Sequence, residues 1–236
     1  MFTGVNIGYV NSPKRAYHHG DLRNALVTAA AELAADGGPG SVSIRAAARQ
    51  VGVTPTAAYR HFAGQEELLG AAKECALDEL AGAMQKELAA RTQTDDPVQY
   101  ALGSLAALGR GYIAFARAQP GLFRTVFSFQ GPVRDEADDH ESDGRPDPFG
   151  LLLDSLDELV AVGYLRVERR PLAEIAAWSM VHGLAALLDG PLRDMPQDVR
   201  EDAIVKAMLV LGHGLSGTGL TPEQEKLLAD EVRAGI

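Results

Sequence analysis

Arg45, Thr54, Thr56, Tyr59, Arg60 and His61 bring guanidinium, hydroxyl, phenol and imidazole groups together within one short stretch of the chain. These are groups that meet phosphate oxygens and the edges of bases. The chemistry they suggest is recognition of a polyanion, not bond making. Elsewhere the sequence has no G-x-S-x-G, no H-E-x-x-H, no glycine-rich phosphate loop and no paired cysteines, so the common enzyme signatures are missing and no enzymatic activity is expected. His18 and His19 beside Asp21 invite thought of a metal. Adjacent histidines on a rigid backbone cannot both face one ion, so neither a metal site nor a cofactor is expected.

Charge supports the polyanion reading only through its distribution. The chain carries −10 overall. Residues 1–63 hold Lys14, Arg15, Arg23, Arg45, Arg49 and Arg60 against Asp21, Glu32 and Asp36. That is a net +3, which leaves −13 for the remainder. A basic head on an acidic body turns the head toward nucleic acid and holds the body away from it.

Those side chains need a scaffold, and the pattern around them supplies one. Residues 1–15 lack helical period and contain Gly, Asn, Ser and Pro, the composition of a flexible arm. From position 21 the spacing of Leu22, Leu26, Ala29, Ala30 and Leu33 predicts a helix that Gly37-Gly38-Pro39-Gly40 must end. A short helix follows over 44–51, opened by Ser43 and broken at Gly52. Gly52 supplies the positive φ of a tight turn. Thr54 and Pro55 are a good cap and first residue for the next short helix, which reaches only to Phe62. Ile44, Ala47, Val51, Ala58 and Phe62 form the inward set, Ala48 permits close approach of the two short helices, and Val53 plugs the core under the turn.

The run SVSIRAAARQVGVTPTAAYRHF, preceded by LRNALVTAAAELAADGG and followed by GQEELLGAA, resembles the DNA-binding domain of the TetR family of repressors. The resemblance covers roughly fifty residues and keeps the G-V-T turn, the Y-x-H-F end of the third helix and the E-E-L start of the fourth in register. It implies an all-α homodimer, with the third helix in the major groove of double-stranded operator DNA. Tyr59 and His61 inherit phosphate contacts, Thr54, Pro55 and Thr56 backbone or base contacts, and Arg45 a phosphate or base-edge contact. Arg60 either touches DNA or makes a solvated ion pair. Two departures stand out. Many relatives place a lysine just after the phenylalanine, where this chain has Ala63-Gly64-Gln65. The large residue before the tyrosine is reduced to Ala58. The missing lysine predicts fewer phosphate contacts and a shallower salt dependence. Lys14, Arg15, His18 and His19 could compensate as an arm along the backbone or minor groove.

A long helix is predicted after Gly64, and the rest of the chain reads as helical throughout, with no repeat and no strand. The expected domains are the arm 1–15, the helix-turn-helix head 16–64, and a ligand-binding and dimerisation body 65–236. Within the body, 134–148 (RDEADDHESDGRPDP) reads as a mobile acidic loop. The segments QPGLFRTVFS and AWSMVHGLAALLDGPL resemble the C-terminal domain of a TetR subgroup with a W-x3-H-G pattern. That implies that the last two large helices pair with their symmetry mates. Leu172, Ile175, Ala176, Ser179 and Gly183 on one, and Ile204, Ala207, Met208, Leu211 and Leu215 on the other, fit such a bundle. Thr221-Pro222-Glu223-Gln224 has capping-box spacing and should open a final helix.

Aromatic residues concentrate between head and bundle: Tyr112, Phe115, Phe123, Phe127, Phe129, Phe149 and Trp178. With Arg110 and His182 as polar groups they suit either a pocket for a small apolar effector or a plain hydrophobic core. Cys75 is the lone cysteine, so a reducing cytoplasm is the natural home. No apolar stretch approaches the roughly 20 residues that a membrane span needs. The N-terminus lacks an export signal. The expected function is a ligand-released repressor. Activation, ligand-independent regulation and a helical scaffold without specific DNA binding remain as alternatives.

Overall fold

The computed structural model describes residues 19–128, 147–217 and 220–234. Lys14, Arg15, His18, the arm 1–15, Phe129 and the acidic run 134–146 lie outside the described residues. Among those described there are ten α-helices and no strand: α1 (His19–Gly37), α2 (Ile44–Val51), α3 (Pro55–Ala58), α4 (Gln65–Ala89), α5 (Pro97–Ala118), α6 (Pro120–Val126), α7 (Pro148–Ala161), α8 (Ala173–Asp189), α9 (Gln197–Ser216) and α10 (Pro222–Ala234).

The breaks follow local chemistry. Ser43 accepts the Ala46 N–H at 3.2 Å to start α2, and Gly52 ends it in the left-handed region at φ 81°, where a side chain would be strained. Thr54 accepts the Ala57 N–H at 3.3 Å to start α3. This helix is shorter than its sequence pattern, because its end tightens: Arg60 N–H and His61 N–H bond three residues back, to Ala57 and Ala58. Asp147 accepts from the Phe149 and Gly150 N–H groups at 3.1 and 2.8 Å. Positions 147–148 thus belong to the start of α7 and not to the acidic loop. Thr221 and Gln224 cap each other reciprocally at the head of α10.

Head and body share one core. Leu26, Ala30, Ala34, Ile44, Ala47, Ala58 and Phe62 are buried together with Leu68, Leu80, Tyr112, Phe123 and Val181, so α4 serves both parts and no gap falls at residue 64. A second core joins α5, α7, α8 and α9 through Ala101, Leu156, Leu159, Leu165, Ala177, Leu211 and Leu215. Two close crossings set the geometry. A Cβ on Gly111 of α5 would lie 2.5 Å from the Met84 Cα on α4, and one on Gly121 of α6 would lie 2.2 Å from the Ala35 carbonyl oxygen on α1.

One helix face differs from the sequence expectation. Ile204, Met208, Leu211 and Leu215 of α9 turn into their own subunit. The outward apolar residues of α9 are Val199, Val205, Leu209 and Val210. Leu172, at the N-cap of α8, and Ile175 within that helix are exposed. Both sides of α9 are apolar, and helical period alone cannot say which one the subunit keeps.

Candidate functional site

The two short helices present one polar face. Arg45 and Arg49, one turn apart on α2, are exposed, as are Thr54, Pro55, Thr56, Tyr59 and Arg60. Tyr59 keeps 53 % of its surface in solvent although its neighbours Ala58 and Phe62 are almost fully buried. His61 is half-buried. Behind this face, the Arg23 guanidinium of α1 stands 4.9 Å from the centre of the Phe62 ring, a cation–π contact that ties α1 to the end of the α3 turn. Gln50 donates to Glu32 and fastens α2 to α1. The guanidinium groups, the phenol and the Thr56 hydroxyl are therefore held on fixed backbone with their tips in solvent, while the Thr54 oxygen is engaged as the cap of α3. Sequence reasoning missed Arg49 as a candidate; its i, i+4 spacing from Arg45 was the available signal.

In the body, seven of the eight candidate effector residues are aromatic or histidine, and six of them form a continuous ring network. Phe149 packs on Trp178 at 5.6 Å between ring centres, Trp178 on Phe127 at 6.0 Å, Phe127 on His182 at 4.4 Å and on Phe123 at 5.2 Å, and Phe123 edge-on to Tyr112 at 5.8 Å. Tyr112, Phe115 and Phe123 are buried. Phe127, Phe149, Trp178 and His182 are half-buried and form its open rim. Phe115 does not join the network. Arg110 stands elsewhere, half-exposed and donating to Glu87 on α4 at 3.2 Å. It is two residues, more than half a turn, from Tyr112.

A polar relay threads the rings. The Trp178 indole N–H donates to the Tyr112 hydroxyl at 3.3 Å, and that hydroxyl lies 2.9 Å from His182 Nδ1. Burial pushes the Tyr112 phenol far above its ordinary range, and burial lowers the His182 imidazole below its ordinary value. Both groups are thereby kept neutral. Trp178 and His182, four residues apart on α8, both reach the one hydroxyl. That is a physical reason for the W-x3-H spacing.

The layer connects to the head through α6. Phe123 belongs to this helix and Phe127 closes it. Gly121 presses it onto the α1 carbonyls, and Arg124 donates to Asp189 at the end of α8 at 2.7 Å. Among the described residues, no helix is long and apolar enough to cross a membrane, and no group of His, Cys, Asp and Glu could hold a metal ion.

Residues 26–72 match the family described as "Bacterial regulatory proteins, tetR family", and residues 105–211 match the "Tetracyclin repressor-like, C-terminal domain". Among curated proteins none matches. A solved protein of unknown function from Rhodococcus sp. RHA1 shares the fold at TM-score 0.68 and 24% identity, over 86% of this chain and 100% of its own. A putative tetR family transcription regulator from Shewanella sp. PV-4 aligns at TM-score 0.55 and 21% identity, over 79% of this chain and 95% of that one. The TetR family transcriptional regulator PfmR from Thermus thermophilus aligns at TM-score 0.53 and 22% identity, over 84% of this chain and 97% of that one.

Proposed function

Since the chain belongs to the TetR family of bacterial regulatory proteins, we propose that it is a cytoplasmic, homodimeric repressor released from a palindromic operator by a small apolar effector. The observation that carries the DNA-binding part is the exposed face of α2 and α3. Arg45, Arg49, Thr54, Thr56, Tyr59 and Arg60 stand together in solvent on backbone whose other side is buried core. Thr54 accepts a backbone N–H with its oxygen, so its hydroxyl proton is left to donate to a phosphate. Tyr59 and His61 act on phosphates as well, and Lys14 and Arg15 add positive charge for the same backbone.

Two copies are needed to read two half-sites one helical turn apart. The outward apolar residues Leu172 and Ile175 of α8 with Val205 and Leu209 of α9 form a face that a second copy would bury. The effector acts at the aromatic layer by population shift. It favours a position of α6 that, through the contact of Gly121 with the α1 backbone, changes the spacing of the two heads. Phe123 and Phe127 sit at one end of that lever and Gly121 at the other.

The test is a gel-shift with the DNA upstream of the protein's own gene, across a salt series. A salt-sensitive, sequence-selective complex of one dimer per site supports the reading. Binding that does not distinguish this DNA from random duplex removes it.

A further inference from the structure

We infer that the aromatic layer takes an uncharged, planar aryl ligand bearing a hydrogen-bond acceptor, such as an aryl carbonyl or ether, which the outward nitrogen of His182 reads; this rests on the reading of that layer as the effector site. The argument begins with the direction of the relay. An indole N–H only donates, so the Tyr112 oxygen must accept from Trp178. The phenol has a single proton, and the acceptor within reach of it is His182 Nδ1 at 2.9 Å. A neutral imidazole whose Nδ1 accepts carries its own proton on Nε2. The relay thus fixes the tautomer, and Nε2–H is a donor.

Among the described residues that donor has no hydrogen-bond partner, and it does not belong to the fully buried atoms left unsatisfied. It is therefore open to a ligand. Its surroundings are rings: Phe127 at 4.4 Å and Phe123 at 5.3 Å from the imidazole centre, with Trp178 and Phe149 continuing the half-buried rim. Flat rings at these distances favour offset or edge-on stacking with a further planar group. Among the described residues, nothing in the layer pairs with a charge. Arg110 is held by Glu87 and Arg124 by Asp189, both outside the network. A carboxylate placed on the rings would lose hydration without an ion pair in return. A ligand with only donors would meet a donor at Nε2.

Three probes of one size separate these features: acetophenone, which carries an acceptor, ethylbenzene, which does not, and benzoate, which is charged. Trp178 is the only tryptophan in the chain, so its indole N–H resonance in the full-length 15N-labelled protein reports the layer alone. Acetophenone is expected to shift that resonance saturably, with a Kd about five- to tenfold below that of ethylbenzene, the worth of one neutral hydrogen bond. Benzoate should bind more weakly than acetophenone. His182→Phe should bring acetophenone and ethylbenzene to equal affinity. The imidazole 15N shifts of the unliganded wild type should show the proton on Nε2, a readout that does not depend on how the variant folds. Benzoate binding as tightly as acetophenone, a preference that survives His182→Phe, or a proton on Nδ1 would each overturn the ligand class while leaving the site in place. If none of the three moves the Trp178 resonance, the layer is not the effector site and both readings fall.

Discussion

Gly121 on α6 lies so close to Ala35 on α1 that an added Cβ would sit 2.2 Å from the Ala35 carbonyl oxygen. The neighbour is backbone on a helix that carries the head, so it cannot turn aside as a side chain would. Gly121→Ala should therefore push α6 off α1 and cost about 1–3 kcal/mol, the usual penalty for overpacking a filled site. For a chain of this size that is a fall in melting temperature of roughly 2–4 °C per kcal/mol. Gly111→Ala, with the Met84 backbone at 2.5 Å, should behave alike in stability. Only Gly121→Ala should also change operator affinity, because only it touches α1. Equal melting temperatures for wild type and Gly121→Ala would contradict the close crossing.

Gly183 on α8 makes the opposite case. Nothing among the described residues lies within 4 Å of a Cβ built there. Alanine should then stabilise an isolated subunit by up to about 1 kcal/mol through helix propensity. If the second copy packs on this face of α8, the same methyl will weaken the dimer. Sedimentation velocity over a dilution series reads that separately from melting. An unchanged dimer constant would move the interface off Gly183.

On α9 the informative pair is Leu209 and Leu211. Leu209 is exposed and Leu211 is buried inside its own subunit. Leu209→Glu should yield folded monomer, seen as a halved mass in light scattering with an unchanged helical circular dichroism spectrum. Leu211→Ala should lower stability by about 2–5 kcal/mol, the usual cost of emptying a buried leucine site. A Leu209→Glu protein that remains dimeric would place the interface elsewhere.

For DNA, Tyr59→Phe is the cleaner variant than Tyr59→Ala, because it removes only the hydroxyl from a half-exposed ring. Loss of one hydrogen bond to a charged phosphate should cost about 1.5–3 kcal/mol, or roughly ten- to a hundredfold in affinity. Arg49→Ala should lessen the slope of log affinity against log salt by about 1 and leave sequence preference intact, as for any phosphate contact. A Tyr59→Phe protein that binds operator as tightly as wild type would reject the assigned contact.

Much of this was legible in the sequence because it depends on local chemistry. Gly52, Thr54 and Thr221 punctuate helices through their own backbone geometry or capping oxygens, and such signals need no knowledge of the fold; Asp147 caps α7 by the same chemistry but stands inside the run whose composition reads as loop. The aromatic residues of the body could be named but not assembled. Phe123, Phe149 and His182 meet only after three helices cross, and Arg110 is separated from them by helical phase alone. The α9 face differs for a related reason. Val205 and Leu209 are as apolar as Met208 and Leu211, and only the packing against α8 and α5 decides which side is kept. The shared core of head and body also left no mark in the sequence, since Ala34, Gly121 and Ala35 signal nothing until they touch.

The last expectation concerns acid. Burial holds the His182 imidazole below its ordinary value of 6.5, so near that pH the unfolded chain binds more protons than the folded one. Stability then rises with pH. The contribution of His182 is fully present above 6.5 and is lost as pH falls toward its depressed value in the fold. The geometry gives the same sign. A proton added at Nδ1 would face the Tyr112 oxygen, which already accepts from Trp178, and the phenol proton would lose its acceptor inside the layer. His182→Gln cannot titrate, so its urea midpoint should follow only the other groups. The gap between wild type and His182→Gln should be widest at about pH 7.5 and should narrow at about pH 5.5. A gap that stays constant would mean that folding leaves the proton affinity of the imidazole unchanged, and one that widens in acid would mean that the fold favours the charged imidazole, with the relay running the other way.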